Sequence, residues 1–182
     1  MKPNFFDTSS LNPQNTLYLV PVYSKNGTNA TEVKTTDNAK VVKNALSTVL
    51  KHYYKLYSIN ADYIKERVAQ YTNQKNLAVI PISPEIIFMP IKYRKPISND
   101  SVYGYVNIIQ IKAISSNEDP EFISKITFKD GSELLSRQNV KSLNENLIKA
   151  KMIESCFFEQ KKIDNKLTPR LIMEIFKEVC RG

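Results

Sequence analysis

Three prolines decide how the most apolar part of this chain can fold. Pro81, Pro84 and Pro90 punctuate the run from Leu77 to Ile91. A proline inside a helix removes a hydrogen bond and clashes with the preceding turn. The run therefore reads as two strands, Leu77 to Ile82 and Ile86 to Ile91, around a Ser83-Pro84 corner. A basic loop, Lys92-Tyr93-Arg94-Lys95-Pro96, leads to a third apolar stretch, Val102 to Ile114, read as one long strand. Alternation puts Tyr103, Tyr105, Asn107, Ile109 and Ile111 on one of its faces, with Gly104, Val106 and Ile108 on the other. A sheet with a positively charged loop at one edge is the expected centre of the molecule.

A hairpin is expected on either side of this centre. Thr16 to Tyr23 and Glu32 to Thr35 flank the turn signal Asn26-Gly27, and Ile123 to Phe128 and Ser132 to Ser136 flank Asp130-Gly131. From Asp37 the apolar period lengthens. Val42, Leu46, Val49, Tyr53 and Tyr57, widened by Val41, Ala45, Leu50 and Tyr54, predict an amphipathic helix with Lys40, Lys43, Lys51 and Lys55 on its other face. A shorter helix follows Asn60 as its N-cap, with Ile64, Val68 and Tyr71 apolar. Helical period returns from Asn139 to about Gln160, and again after Thr168-Pro169 through Leu171, Ile172, Ile175, Phe176 and Val179. Residues 1–15 are polar and read as a loose arm, and no repeat or composition shift divides 16–182. The expectation is one α+β domain, a mainly antiparallel sheet of hairpins flanked by N-terminal and C-terminal helices.

Much of catalytic chemistry has no foothold here. The single histidine, His52, sits inside a helical pattern, and no serine lies in a GxSxG elbow. Four glycines, Gly27, Gly104, Gly131 and Gly182, build no phosphate-cradling loop. Cys156 and Cys180 lack metal-ligand or CxxC spacing and read as reduced thiols. Glu118, Asp119 and Glu121 could approach a cation but read as a solvated loop. No enzyme, cofactor or metal is expected. The N-terminus turns polar before a signal sequence can form, and the prolines forbid a membrane helix, so a cytosolic protein without membrane contact is expected.

What the chain does have is positive charge. Its 26 Lys+Arg against 18 Asp+Glu leave a formal net charge of +8, which favours a polyanionic partner. Lys92, Tyr93, Arg94 and Lys95 put three cations and an aromatic in four residues of a loop, able to meet phosphates or enter a narrow minor groove. Lys51 and Lys55 on one helix, and Arg137, Lys141, Lys149 and Lys151 around another, add candidate phosphate contacts. No helix-turn-helix, zinc finger or RRM motif is present.

The order of motifs resembles the bacterial competence transcription factor family, ComK. Ala78-Val79-Ile80-Pro81 through Ile86-Ile87-Phe88-Met89-Pro90 looks like the family's strand pair ending in aromatic-x-Pro. Tyr103-Gly104-Tyr105-Val106-Asn107-Ile108-Ile109 is similar to a strand that usually carries Trp, and Ile126-Thr127-Phe128-Lys129-Asp130-Gly131 to its Thr-Phe hairpin. Ser142-Leu143, with Asn144-Glu145-Asn146 and Lys149, resembles a helix start, and Tyr53-Tyr54 an aromatic pair, so the likeness spans roughly Lys51 to Met152. The chain departs in having Ile91 where Thr usually follows Pro, no Trp, and Lys55 where a Gly follows the aromatic pair. Glu159 to Leu167 lacks the family's aromatic-rich segment for the adaptor of the Clp protease, which puts adaptor-dependent turnover in question. The resemblance implies an activator of DNA-uptake genes that binds paired A/T-rich boxes in double-stranded DNA, as a homodimer or higher oligomer. The alternative expectation is a non-enzymatic protein-interaction module of the same fold that has lost specific DNA binding.

Overall fold

The computed structural model describes residues 13–24, 26–73, 76–96 and 101–159. Most of the expected arm, Cys180 and the last expected helix lie outside them. The described residues form strands β1 (Thr16–Tyr23), β2 (Asn29–Thr35) and β3 (Ala39–Val42), then helices α1 (Leu46–Leu56) and α2 (Ala61–Thr72). Strands β4 (Ile80–Ser83), β5 (Ile86–Lys92), β6 (Tyr103–Asn107), β7 (Ile111–Ser116), β8 (Ser124–Phe128) and β9 (Glu133–Ser136) follow. Helix α3 (Val140–Glu154) comes next and is prolonged by a π-helical turn, Ser155–Glu159. The expected α+β class holds. A six-stranded antiparallel sheet has the order β3-β2-β1-β6-β5-β4, and a three-stranded antiparallel sheet the order β7-β8-β9.

The large sheet is covered on both faces, which is why β5 is apolar and buried at every position from Ile86 to Ile91. Along β5, Ile86 and Phe88 pack with α1 residues Leu46, Val49, Tyr53 and Tyr54. Their neighbours Ile87, Met89 and Ile91 pack the other way, with Leu143, Ala150 and Ile153 of α3 and with Ile126 and Phe128 of the small sheet. Strand alternation turns one apolar run into two cores. Tyr53 ties the α1 side together, edge-on to Phe88 at 5.4 Å and hydrogen bonded to Thr16 Oγ1 at 2.7 Å.

The turns follow their sequence signals. Gly27 and Gly131 adopt φ of +73° and +84°, the left-handed region that Asn-Gly and Asp-Gly turns need. Asn60 caps α2, accepting from the backbone N–H of Asp62 and Tyr63. Gly104 answers a different demand: a Cβ there would lie 2.8 Å from both the Leu19 carbonyl oxygen and Val20 Cγ1 on the neighbouring β1.

Three sequence expectations are corrected. The helix placed from Asp37 begins only at Leu46, because residues 39–42 pair as β3 with β2, joining Val42 to Thr31 and Lys40 to Val33. Val42 is buried from the strand, whereas Val41 is exposed. The long strand from Val102 to Ile114 is two strands in different sheets, separated by a 3-10 turn at Ile108–Gln110. Asn107 makes the break: its Oδ1 accepts from the N–H of Ile109 and of Ile87, while its Nδ2 donates to the carbonyls of Thr16 and Glu85. Tyr71, expected among the apolar residues of α2, is an exposed side chain at the edge of the Phe157 ring. Cys156 is a free, partly buried thiol.

Candidate nucleic-acid interface

The loop that follows β5 does not project as a loose basic finger. The Arg94 guanidinium donates to the Ser101 carbonyl at 2.8 Å and to Asn29 Oδ1 at 3.0 Å, and stacks 4.1 Å from the centre of the Tyr23 ring. These partners sit at the end of β1, the start of β2 and the return into β6, so Arg94 fastens three chain segments. Partial burial lowers its pKa, yet an arginine stays charged throughout the physiological range. Lys95 reaches Glu121 instead, and Arg137 reaches the same carboxylate at 3.4 Å while lying 5.3 Å from the Phe122 ring centre. Hydrogen bonds from Lys95 and then Arg137 hold the Glu121 carboxyl below its usual pKa. Tyr93 is half-buried against Phe122, and burial, then the Glu32 charge, raises the pKa of its hydroxyl.

The acidic loop thereby gains a use that its sequence hides. Asp119 accepts from the N–H of Glu121 and Phe122 in a tight turn, which aims Glu121 at its two cations. Among the described residues no group of three or more His, Cys, Asp or Glu could hold a metal ion. Nor is any described helix long and apolar enough to cross a membrane.

The nine expected contact residues divide between two sides of the large sheet. Lys51 and Lys55 are exposed on α1. Arg94 lines a cleft with Ala45, Leu46 and Ser47 at the start of that helix, and alternation along β5 aims Lys92 to the same side as Phe88. Tyr93 packs toward the opposite core, where Lys95 and Arg137 meet Glu121 and where Lys141 and Lys149 are exposed on α3. One straight duplex cannot touch both groups from one side.

No family model, curated protein or solved structure matches this chain. The two sides must therefore be told apart by their own charge. Residues 38–61, which build β3 and α1, contain Lys40, Lys43, Lys51 and Lys55 and no carboxylate at all. On α3, Lys141, Lys149 and Lys151 are interleaved with Glu145 and Glu154. His52, on α1, adds no charge near neutral pH, because burial and then the nearby Lys55 lower its pKa. Sequence grouped Lys40 and Lys43 with Lys51 and Lys55 by extending the helical period, but Lys40 lies in β3 and Lys43 precedes the helix. The partners of Arg94 could not be read from sequence, because Asn29 lies 65 residues away along the chain.

Proposed function

We propose that this protein binds double-stranded DNA through the face formed by β3 and α1, as a transcriptional regulator of the ComK type that selects A/T-rich boxes. The observation that carries the reading is the segment 38–61, which contains four lysines and no carboxylate and whose helix α1 starts at the cleft that Arg94 lines. Lysines of this segment, Lys51 and Lys55 exposed among them, would supply phosphate contacts, each releasing counterions when it binds. Arg94 orders the loop through its ties to Asn29, Ser101 and Tyr23, and Lys92 joins the phosphate contacts. The regulatory role, activation of DNA-uptake genes, the homo-oligomer and the non-enzymatic character rest on the resemblance and on the residue inventory.

The test is a titration of the protein against A/T-rich and G/C-rich duplexes of equal length at two salt concentrations. Selective, salt-sensitive binding to the A/T-rich duplex is expected. Replacing Lys51 and Lys55 together by Glu should weaken binding and flatten the salt dependence by about 2 in the slope of log K on log salt. The same change at Lys141 and Lys149 should leave affinity within about twofold, since α3 lies on the other side. Equal weak binding to both duplexes rules out sequence selection, and an equal loss from the α3 pair rules out the face.

A further inference from the structure

Helix α3 and strand β7 enclose a groove of about 460 Å³ whose walls differ in kind. One wall is four consecutive residues of β7, Ile111 to Ile114. The other is Asn144, Leu147, Lys151 and Glu154, one stripe of α3 at three- and four-residue steps. Strand β7 is at the edge of its sheet and pairs on one side only among the described residues. A register shift between Ile111 and Ala113 puts a bulge and the exposed Lys112 at its start, which is how proteins guard an open edge. Beyond the bulge the guard is missing: Ala113, Ser115 and Ser116 are exposed and too small to keep another backbone away.

We propose that this groove takes an extended acidic segment of a protein partner, which adds as a strand to the free edge of β7. Backbone hydrogen bonds to β7 would supply the general affinity, and alternate side chains the selectivity. Apolar side chains of the segment meet Ile111, Ile114 and Leu147, and its carboxylates meet Lys112, Lys129 and Lys151. Those three lysines face a single acid, Glu154, within the groove, so the charge complement is negative. Ile148 and Met152, 69% and 41% exposed on the adjoining stripe of α3, widen the apolar contact. A nucleic-acid strand fits the walls less well, for no aromatic side chain lines the groove to stack on a base. The proposal does not depend on DNA binding, which was assigned to the opposite side of the large sheet.

Fluorescence anisotropy of the full chain with a dye-labelled peptide, Glu-Val-Asp-Val-Glu-Val-Asp, tests it. A peptide of the same composition with its valines grouped is the control, and unlabelled A/T-rich duplex the competitor. The alternating peptide should bind about tenfold more tightly than the grouped one. Lys112→Glu with Lys151→Glu should cost about tenfold or more while the far-ultraviolet circular dichroism stays unchanged. Equal affinity for the two peptides would mean that charge alone attracts them and would overturn strand addition, as would no binding of the alternating peptide. Full affinity in the double variant would overturn the location. Displacement of the peptide by duplex would assign the groove to nucleic acid and overturn the proposal as well.

Discussion

Asn107 uses all four hydrogen-bonding positions of a side-chain amide while fully buried, and its partners come from three stretches of backbone, at Thr16, at Glu85 and Ile87, and at Ile109. Removing it leaves several buried N–H and C=O groups without partners, each costing about 1–3 kcal/mol. Asn107→Ala should therefore lower stability by roughly 2–4 kcal/mol, read as a fall in the denaturant midpoint with an unchanged slope. Asn107→Asp carries a sign that pH can expose. Its carboxylate would face the carbonyls of Thr16 and Glu85, which disfavours the charged form and raises its folded pKa. The variant should be closest to wild type below about pH 3.9, the unfolded value, and lose stability as pH rises through the raised folded value. A midpoint indifferent to pH would mean that water reaches the site. Glu121 teaches a related lesson at this scale. In sequence it is one of several loop acids, and only folding brings Lys95 and Arg137 to it from 26 and 16 residues away.

Elements were legible where a local signal marks their ends. Asn139 caps α3 by accepting from the Ser142 N–H at 2.8 Å, as a helix start after that residue requires. Asn139→Ala should cost about 1 kcal/mol and Asn139→Asp almost nothing, measured by thermal unfolding of both. An equal loss in the two would assign the effect to something other than the cap. Helix α1 has no such mark. Its N-cap is Ala45, with no side-chain cap, and the preceding Asn44 accepts from the Thr31 hydroxyl through its carbonyl. Without a stop signal, the period of α1 runs backward through Val42, and the sequence reads as a longer helix. Pairing with β2 decides otherwise, since four more residues in the sheet satisfy backbone groups that a frayed, uncapped helix end would leave to water.

At the scale of the whole molecule, two cores are pressed against one sheet, and both rest on buried tyrosines. Burial pushes Tyr53 and Tyr54 up to about 12, and Tyr18 is raised further by burial and by its hydrogen bond to Glu32. A tyrosine raised in the folded state must stay protonated there, while in the unfolded chain it ionises near pH 10. Stability should thus be full below pH 10 and decline as pH rises toward 12. The chain has ten tyrosines and no tryptophan, so tyrosinate absorbance can be followed without interference. Tyr18, Tyr53 and Tyr54 should ionise only together with loss of circular dichroism. A single smooth titration of all ten with the fold intact would contradict this burial.

Local chemistry settled the α+β class, the two glycine turns, the Ser83-Pro84 corner and the caps of α2 and α3. Each depends on residues that touch within a few positions: a proline that cannot donate, a glycine that tolerates positive φ, an asparagine within reach of its own helix. Charge was also legible as a total, but not as a surface. Which lysines share a side depends on which face of the β5 run meets α1 and which meets α3, and the run is apolar at both parities. Only tertiary packing broke that tie. It set Lys51 and Lys55 apart from Lys141 and Lys149, closed Arg94 onto Asn29, and bent the chain at Asn107 into a second sheet. Those outcomes are contacts between residues far apart in sequence, which no short window of the chain contains.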